Sequence, residues 1–262
     1  MGGEKTIIHS LVNKKYLNLP EVHFSDEGRI RHLHLGSVWI QGSMDMDHPT
    51  ALVHEYIRRM QSWLLFVEPD QVSQCRAVQL GLGAGSLTKH CAKVLRLQQT
   101  TAVELNPQVL AACRGWFRLP ADSARMRVVL ADAAREIQQP HWWGTVDALQ
   151  VDLYDQEAAA PVLDSPGFYA DCRRLLSEQG CMMVNLFGRS SSFVRSVARI
   201  SAAFGKETIW SFKATREGNT VVLAQRTPSR PKRAVLAERS AIIQSRWQLD
   251  AAKWVAGLKP IV

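Results

Sequence analysis

The sequence predicts an α/β protein: a seven-stranded, mostly parallel sheet with a terminal antiparallel hairpin, preceded by a small N-terminal β module. Three observations predict it. From Ala77 to Phe204, short apolar runs alternate with helix-like stretches, the pattern of a parallel sheet covered on both faces. The first of these runs leads into a glycine loop, Gly81-Leu82-Gly83-Ala84-Gly85-Ser86, where the absence of Cβ atoms lets backbone turn sharply and approach a ligand. Acids then stand at successive strand ends: Glu104, Asp132, Asp152 and Asp155. In an open parallel sheet, ligands bind beyond those ends.

The loop is followed by a helix from Ser86 to about Leu97, whose first N–H groups lack partners and can face a bound group. The next strand, Thr101-Ala102-Val103-Glu104, closes on a carboxylate 23 residues after Gly81 (104 − 81). That is roughly the spacing at which an acid reaches a ribose hydroxyl pair. The loop spacing Gly81-x-Gly83-x-Gly85 fits an S-adenosylmethionine-type nucleoside site better than a dinucleotide fingerprint.

The chain has 262 residues, enough for one large domain with small additions. We divide it into an N-terminal hairpin module (1–50), a nucleoside-binding sheet domain (51–227), and a linker with a C-terminal helix (228–262). Five cysteines, at 75, 91, 113, 172 and 181, show no metal-type pairing. They read as reduced thiols of a cytoplasmic protein, and no metal is expected. No apolar run is long enough to cross a membrane. Net charge is +8, but eight basic residues from Arg226 onward face only Glu238 and Asp250. The body is therefore nearly neutral and is not a nucleic-acid-binding domain; the basic tail reads as a solvated helix face.

In the first module, Arg29–Leu35 and Ser37–Gly42 alternate around Gly36-Ser37, a hairpin signature. His32 and His34 share a strand face and read as exposed. Thr50 is a plausible cap for one helix running to Phe66, with Leu52, Val53, Tyr56, Ile57, Met60, Trp63 and Leu64 on its buried stripe and Glu55 at the edge. After Glu104 come a helix (107–117), a strand (126–130) ending at Asp132-Ala133, and a strand (146–152) ending in Asp152-Leu-Tyr-Asp155. A helix (168–177), a fifth strand (181–187) and a fifth helix (191–204) follow. Residues 207–213 and 220–225 form the terminal hairpin. One last helix spans 234–255.

Taken together these residues resemble the polyamine aminopropyltransferases, the spermidine synthase family, on the Rossmann-like plan of S-adenosylmethionine-dependent transferases. The resemblance covers roughly residues 28–225 and rests on the hairpin ending near Gln41, His54-Glu55, the loop at 81–86, Val103-Glu104-Leu-Asn-Pro, Ala131-Asp132-Ala, Val151-Asp152-Leu-Tyr-Asp155 and Gly167-Phe168-Tyr169. It implies that Gln41, the loop glycines, Glu104, Asp132 and Ala133 hold S-adenosylmethionine or its decarboxylated form as co-substrate. It also implies that Asp152 takes a proton from an attacking amine, that Asp155 and Glu55 anchor a cationic small-molecule amine, and that the protein is a homodimer. The family's loop carries Asp where this chain has Ala84, its helix carries Tyr where this chain has Val53, and its proline after the second Asp is here Gln156. Without an acid at 84, the ordinary and decarboxylated donors are expected to bind about equally. Three readings stay open on the sequence: aminopropyl transfer, methyl transfer, and a non-catalytic protein that keeps the fold.

Overall fold

The computed structural model describes residues 19–154, 163–187 and 190–261. Its N-terminal part is a three-stranded antiparallel sheet of β1 (Val22–Glu27), β2 (Ile30–Leu35) and β3 (Ile40–Asp45), in that order. The expected hairpin is therefore present, with one more strand on its outer edge. His32 and His34 are not exposed, contrary to expectation: His32, Leu33 and His34 are all buried. The alternation failed as a guide because the sheet is covered on both faces here. Each histidine finds a hydroxyl, His32 Nδ1 lying 2.8 Å from Ser43 Oγ and His34 Nε2 2.8 Å from Ser25 Oγ, which makes burial tolerable.

The stretch after the module also departs from expectation. It is not one helix capped by Thr50 but a short α1 (Glu55–Arg59) followed by a 3₁₀ turn, Ser62–Phe66. Residues 52 and 53 lie outside the helix because the Arg58 guanidinium takes both their carbonyls, at 2.8 and 2.7 Å. His54, extended at φ −82° and ψ 148°, holds the N-cap position instead. The predicted stripe nevertheless buries, with Leu52, Ile57, Met60, Trp63 and Leu64 all in the core.

The main sheet runs β11-β9-β10-β8-β7-β4-β5-β6. Its parallel strands are β4 (Arg76–Leu80), β5 (Gln99–Glu104), β6 (Met126–Leu130), β7 (Val146–Val151) and β8 (Leu176–Phe187). β10 (Asn219–Gln225) pairs antiparallel with β8, and β9 (Ile209–Ser211) antiparallel with β10. An eighth strand, β11 (Lys259–Pro260), adds two residues to the edge, where seven were expected. The helices between strands are α2 (Ser86–Lys89), which continues as a π turn to Val94, α3 (Pro107–Trp116), α4 (Ala133–Glu136), α5 (Pro166–Leu175) and α6 (Ser190–Phe204).

The C-terminal segment is two helices, not one. Gln248, at φ +57°, separates α7 (Arg233–Trp247) from α8 (Ala251–Gly257). The break lets Leu249, Ala251 and Trp254 join the same core cluster as Trp63 and Leu64. The basic surface of this segment also meets the body: Arg239 pairs with Glu68, and Arg246 lies 2.6 Å from Asp70. Among the described residues no helix is long and apolar enough to cross a membrane.

Candidate active site

The parallel strands place their carboxyl ends on one edge, and a cavity of about 880 Å³ opens there. Its floor is the glycine loop after β4. Gly81 sits at φ +91°, and a Cβ on it would lie 2.4 Å from the carbonyl oxygen of Asp152, so no other residue fits between the ends of β4 and β7. From the opposite side β3 presses on the loop. A Cβ on Gly42 would come within 2.6 Å of the Ala84 nitrogen and 2.9 Å of the Ala84 Cβ. The N-terminal sheet is thus part of the site, and Gln41 beside Gly42 lines the cavity.

This close approach is testable. Gly42→Ala should destabilise the protein by about 1–3 kcal/mol, the usual cost of overpacking a filled interior, and should weaken nucleoside binding by shifting the loop. Urea unfolding and calorimetry on the same preparation would read both effects. An unchanged unfolding midpoint would show that β3 does not constrain the loop.

Glu104 ends β5 and lines the cavity. Each carboxylate oxygen accepts one backbone N–H: Oε2 from Leu82 at 3.0 Å and Oε1 from Asn106 at 2.8 Å. Those bonds fix the carboxylate and leave each oxygen further acceptor capacity toward the cavity. Burial raises its pKa, and the amides of Asn106, Leu82 and Leu105 oppose the rise. Asp132 caps α4, its Oδ1 accepting from the Ala134 amide at 3.0 Å, and lines the cavity together with Ala133.

Asp152 follows β7. Asn185 of β8 donates Nδ2–H to its Oδ1 at 2.9 Å, and the Tyr56 hydroxyl of α1 also hydrogen-bonds it. Burial raises the Asp152 pKa against the pull of these two bonds. A carboxylate so held is both oriented and more basic than usual. Asn185 is itself tied to β10, its Oδ1 accepting from Asn219 Nδ2 at 3.2 Å. Tyr154 braces the same corner, its hydroxyl donating to the Asn185 carbonyl at 2.7 Å.

The structure brings together Gln41, Gly81, Gly83, Glu104, Asp132, Ala133 and Asp152 around one cavity. Gly85 sits behind them as the N-cap of α2, at φ +67°. Glu55 stands apart: its carboxylate is exposed, pairs with Arg59 at 2.5 Å, and does not line the cavity. Asp155 and Gln156 lie outside the described residues. Sequence reasoning passed over Tyr56, Asn185, Asn219 and Glu217, all of which line the cavity. Tyr56 carried a signal, a hydroxyl among the otherwise apolar residues of a buried stripe. It brings a hydroxyl to Asp152 from α1, three residues after Val53, the expected tyrosine position.

No protein-family model matches the chain. It is 35% identical over 243 residues to a polyamine aminopropyltransferase of Neisseria meningitidis serogroup A, covering 92% of this chain and 89% of that one. It is 34% identical over 242 residues to one of Chromobacterium violaceum, covering 92% and 90%. Among solved structures, a probable spermidine synthase of Corynebacterium glutamicum superposes with a TM-score of 0.72 at 19% identity, over 90% of each chain. Human methyltransferase-like protein 13, in complex with SAH, gives 0.66 at 20% identity over 75% of this chain and 93% of that one. A spermidine synthase in complex with the transition state analogue AdoDATO gives 0.58 at 17% identity, over 80% and 74%. The structural likenesses establish a methyltransferase-like α/β fold. Identity of about one third over nearly the whole length establishes more: the chain belongs to the polyamine aminopropyltransferase family.

Proposed function

We propose that this protein transfers the aminopropyl group of decarboxylated S-adenosylmethionine to a small amine. The observation that carries this reading is the charge of the cavity. Glu104, Asp132, Asp152 and Glu217 line it, and no Lys or Arg does so among the described residues. A sulfonium donor bearing a free ammonium, and a cationic acceptor, both complement such a lining. A donor that keeps its carboxylate meets like charge there and finds no lysine or arginine to pair with. Ala84 removes one acid from the loop, but the acids on the neighbouring strand ends remain.

The nucleoside rests on the ends of β4, β5 and β6, with Glu104 on the ribose hydroxyls and Asp132-Ala133 near the base. Asp152 faces the reacting carbon. The amine nitrogen attacks the carbon next to sulfur with its lone pair, and the carbon–sulfur bond breaks with its electrons passing to sulfur. Methylthioadenosine leaves as a neutral thioether, and the surplus proton of the amine goes to the Asp152 carboxylate. Holding amine and carbon in line supplies much of the remaining rate. No metal is needed for this displacement.

Product analysis with both donors tests the reading. Decarboxylated donor plus a diamine should give methylthioadenosine and an aminopropylated amine. A methylated product from ordinary S-adenosylmethionine would establish the methyltransferase alternative, and no product from either donor would favour a binding protein. Equal affinity for the two donors would place the selection of donor at position 84 alone. The five cysteines are free and buried, which supports a reducing, cytoplasmic setting. The exposed Val38 and Trp39, in the turn between β2 and β3, and Ile40 at the start of β3, which together stand at the rim of the cavity, support a homodimer formed through that module.

A further inference from the structure

Strands β4 and β7 lie side by side inside the main sheet, and Ala77, Val78, Leu80, Ala148, Leu149 and Val151 on them are buried and apolar. One residue in each strand breaks that run: Gln79 and Gln150, both 1% exposed and opposite each other in register. A buried amide costs stability unless its nitrogen and oxygen are bonded, and here both are. Gln79 Nε2 donates to Gln150 Oε1 at 2.9 Å, and Gln79 Oε1 accepts from Thr88 Oγ1 at 3.3 Å. Gln150 Nε2 donates to the Met60 carbonyl at 3.0 Å and to Gln61 Oε1 at 3.4 Å. Gln61, also buried, accepts in turn from Trp63 Nε1 at 2.9 Å and donates to Cys91 Sγ at 3.6 Å.

These amides join the pieces of chain that carry the reacting groups. Gln79 stands two residues before Gly81 of the donor loop, and Thr88 and Cys91 follow that loop on α2 and its π turn. Gln150 stands two residues before Asp152, whose own N–H bonds the Leu80 carbonyl at 3.0 Å and so continues the ladder of β7. Residues two apart on a strand share a face. Met60 closes α1 one turn after Tyr56, its amide bonding the Tyr56 carbonyl at 2.9 Å. Helix α1 is therefore tied to β7 at two points, the Tyr56 hydroxyl on Asp152 and the Met60 carbonyl on Gln150. The two spacings agree: four residues of helix advance about 6 Å, and two residues of strand about 6.6 Å.

Resting on the aminopropyl reading, in which Asp152 is the base, we propose that Gln150 is a positioning residue: by holding the Met60 carbonyl it sets α1 so that the Tyr56 hydroxyl reaches the Asp152 carboxylate. Gln79 braces Gln150 from the side of the donor loop. An apolar pair at 79 and 150 would need no partners, but nothing would then tie α1 to the strand that carries the base. A fully bonded buried network specifies one geometry. The groups that act on Asp152 are Tyr56 of α1 and Asn185 of β8, and Tyr154 feels its field. The bonds from Tyr56 and Asn185 favour the ionised carboxylate against the effect of burial. Loss of the Tyr56 bond therefore moves the acid limb of the rate profile to higher pH.

The test is a double-mutant cycle on turnover of the decarboxylated donor with 1,4-diaminobutane. Gln150→Met keeps the side-chain volume and removes the amide. It should lower kcat about tenfold and shift the acid limb of kcat up by about one pH unit, the effect of one hydrogen bond to a charged group. The dissociation constant of methylthioadenosine should stay at the wild-type value. Tyr56→Phe should produce the same two changes, and Gln150→Met added to Tyr56→Phe should lower kcat no further. The pair Gln79→Met with Gln150→Met strands neither amide of the couple, which keeps the measurement possible where the single variant fails to fold, and it should show the same loss. Wild-type turnover and pH profile in that paired variant, or losses that multiply in the cycle, overturn the assignment while leaving aminopropyl transfer in place. A wild-type protein that yields no aminopropylated product removes the parent reading, and this inference with it.

Discussion

Asp152→Asn is expected to lower kcat by about 10²–10⁴-fold, the range over which a positioned base acts, with the donor's dissociation constant changed little. Asparagine keeps the shape and can still present an oxygen to Asn185 Nδ2, but it cannot take the amine's proton. The same change should stabilise the fold. Burial raises the Asp152 pKa above that of an exposed aspartate. Below the ordinary aspartate value the folded and unfolded chains are both protonated there, and the group favours neither state. As pH rises from the ordinary value to the raised folded value, the unfolded chain gives up its proton first and stability falls, levelling off once the enclosed carboxylate ionises too. The variant escapes that penalty: its melting temperature should exceed that of wild type at pH 8, and the difference should shrink toward pH 4. The activity of wild type should in turn be lost on acidification at a higher pH than an exposed aspartate would give. A variant with near-normal turnover would show that Asp152 is structural.

The strand–helix alternation, the glycine loop and Glu104 could be read directly because each depends on residues close in sequence. A buried parallel strand has to be apolar, a loop between touching strand ends has to lack Cβ atoms, and an acid after β5 has to find amides. Where distant residues decide, the reading failed. His32 and His34 looked exposed because nothing near them in sequence reveals that Ser43 and Ser25 lie opposite with hydroxyls to share. The helix after residue 50 looked continuous because its apolar stripe is real; Arg58 breaks it by taking carbonyls six and five residues back.

That break matters for the site. In a single helix beginning at Thr50, adjacent positions turn by about 100°, and Glu55 reads as an edge residue available to a ligand. With His54 capping a helix that starts at Glu55, it is Tyr56 that reaches Asp152, while Glu55 goes to Arg59. The stripe is the same in both readings; the residue on it that meets the site is Tyr56, which packs against the core and hydrogen-bonds Asp152. The Asn185–Asn219 link and Glu217 were equally hidden, because the antiparallel placement of β10 beside β8 brings them to Asp152 from more than thirty residues away (185 − 152 = 33).

Glu104→Ala is expected to abolish measurable binding of methylthioadenosine at micromolar concentrations. A carboxylate accepting two ribose hydroxyls makes two charge-assisted hydrogen bonds, each contributing about 1.5–3 kcal/mol, so affinity should fall by about 10²–10⁴-fold. The substitution also strands the amides of Leu82 and Asn106, which the two oxygens now receive, and so loosens the loop on which the nucleoside rests. Glu104→Gln separates the two effects. It keeps one acceptor oxygen for an amide and directs its NH₂ at the other amide, so it should lose most of the affinity while the fold persists. In wild type the affinity should depend on pH. Burial raises the Glu104 pKa, and only the ionised form accepts from both hydroxyls and both amides; binding should therefore weaken as pH falls through that raised value and be flat above it. Calorimetric titrations of wild type across pH, and of both variants at pH 8, check each step. Folded variants that bind methylthioadenosine as wild type does would place the nucleoside elsewhere in the cavity.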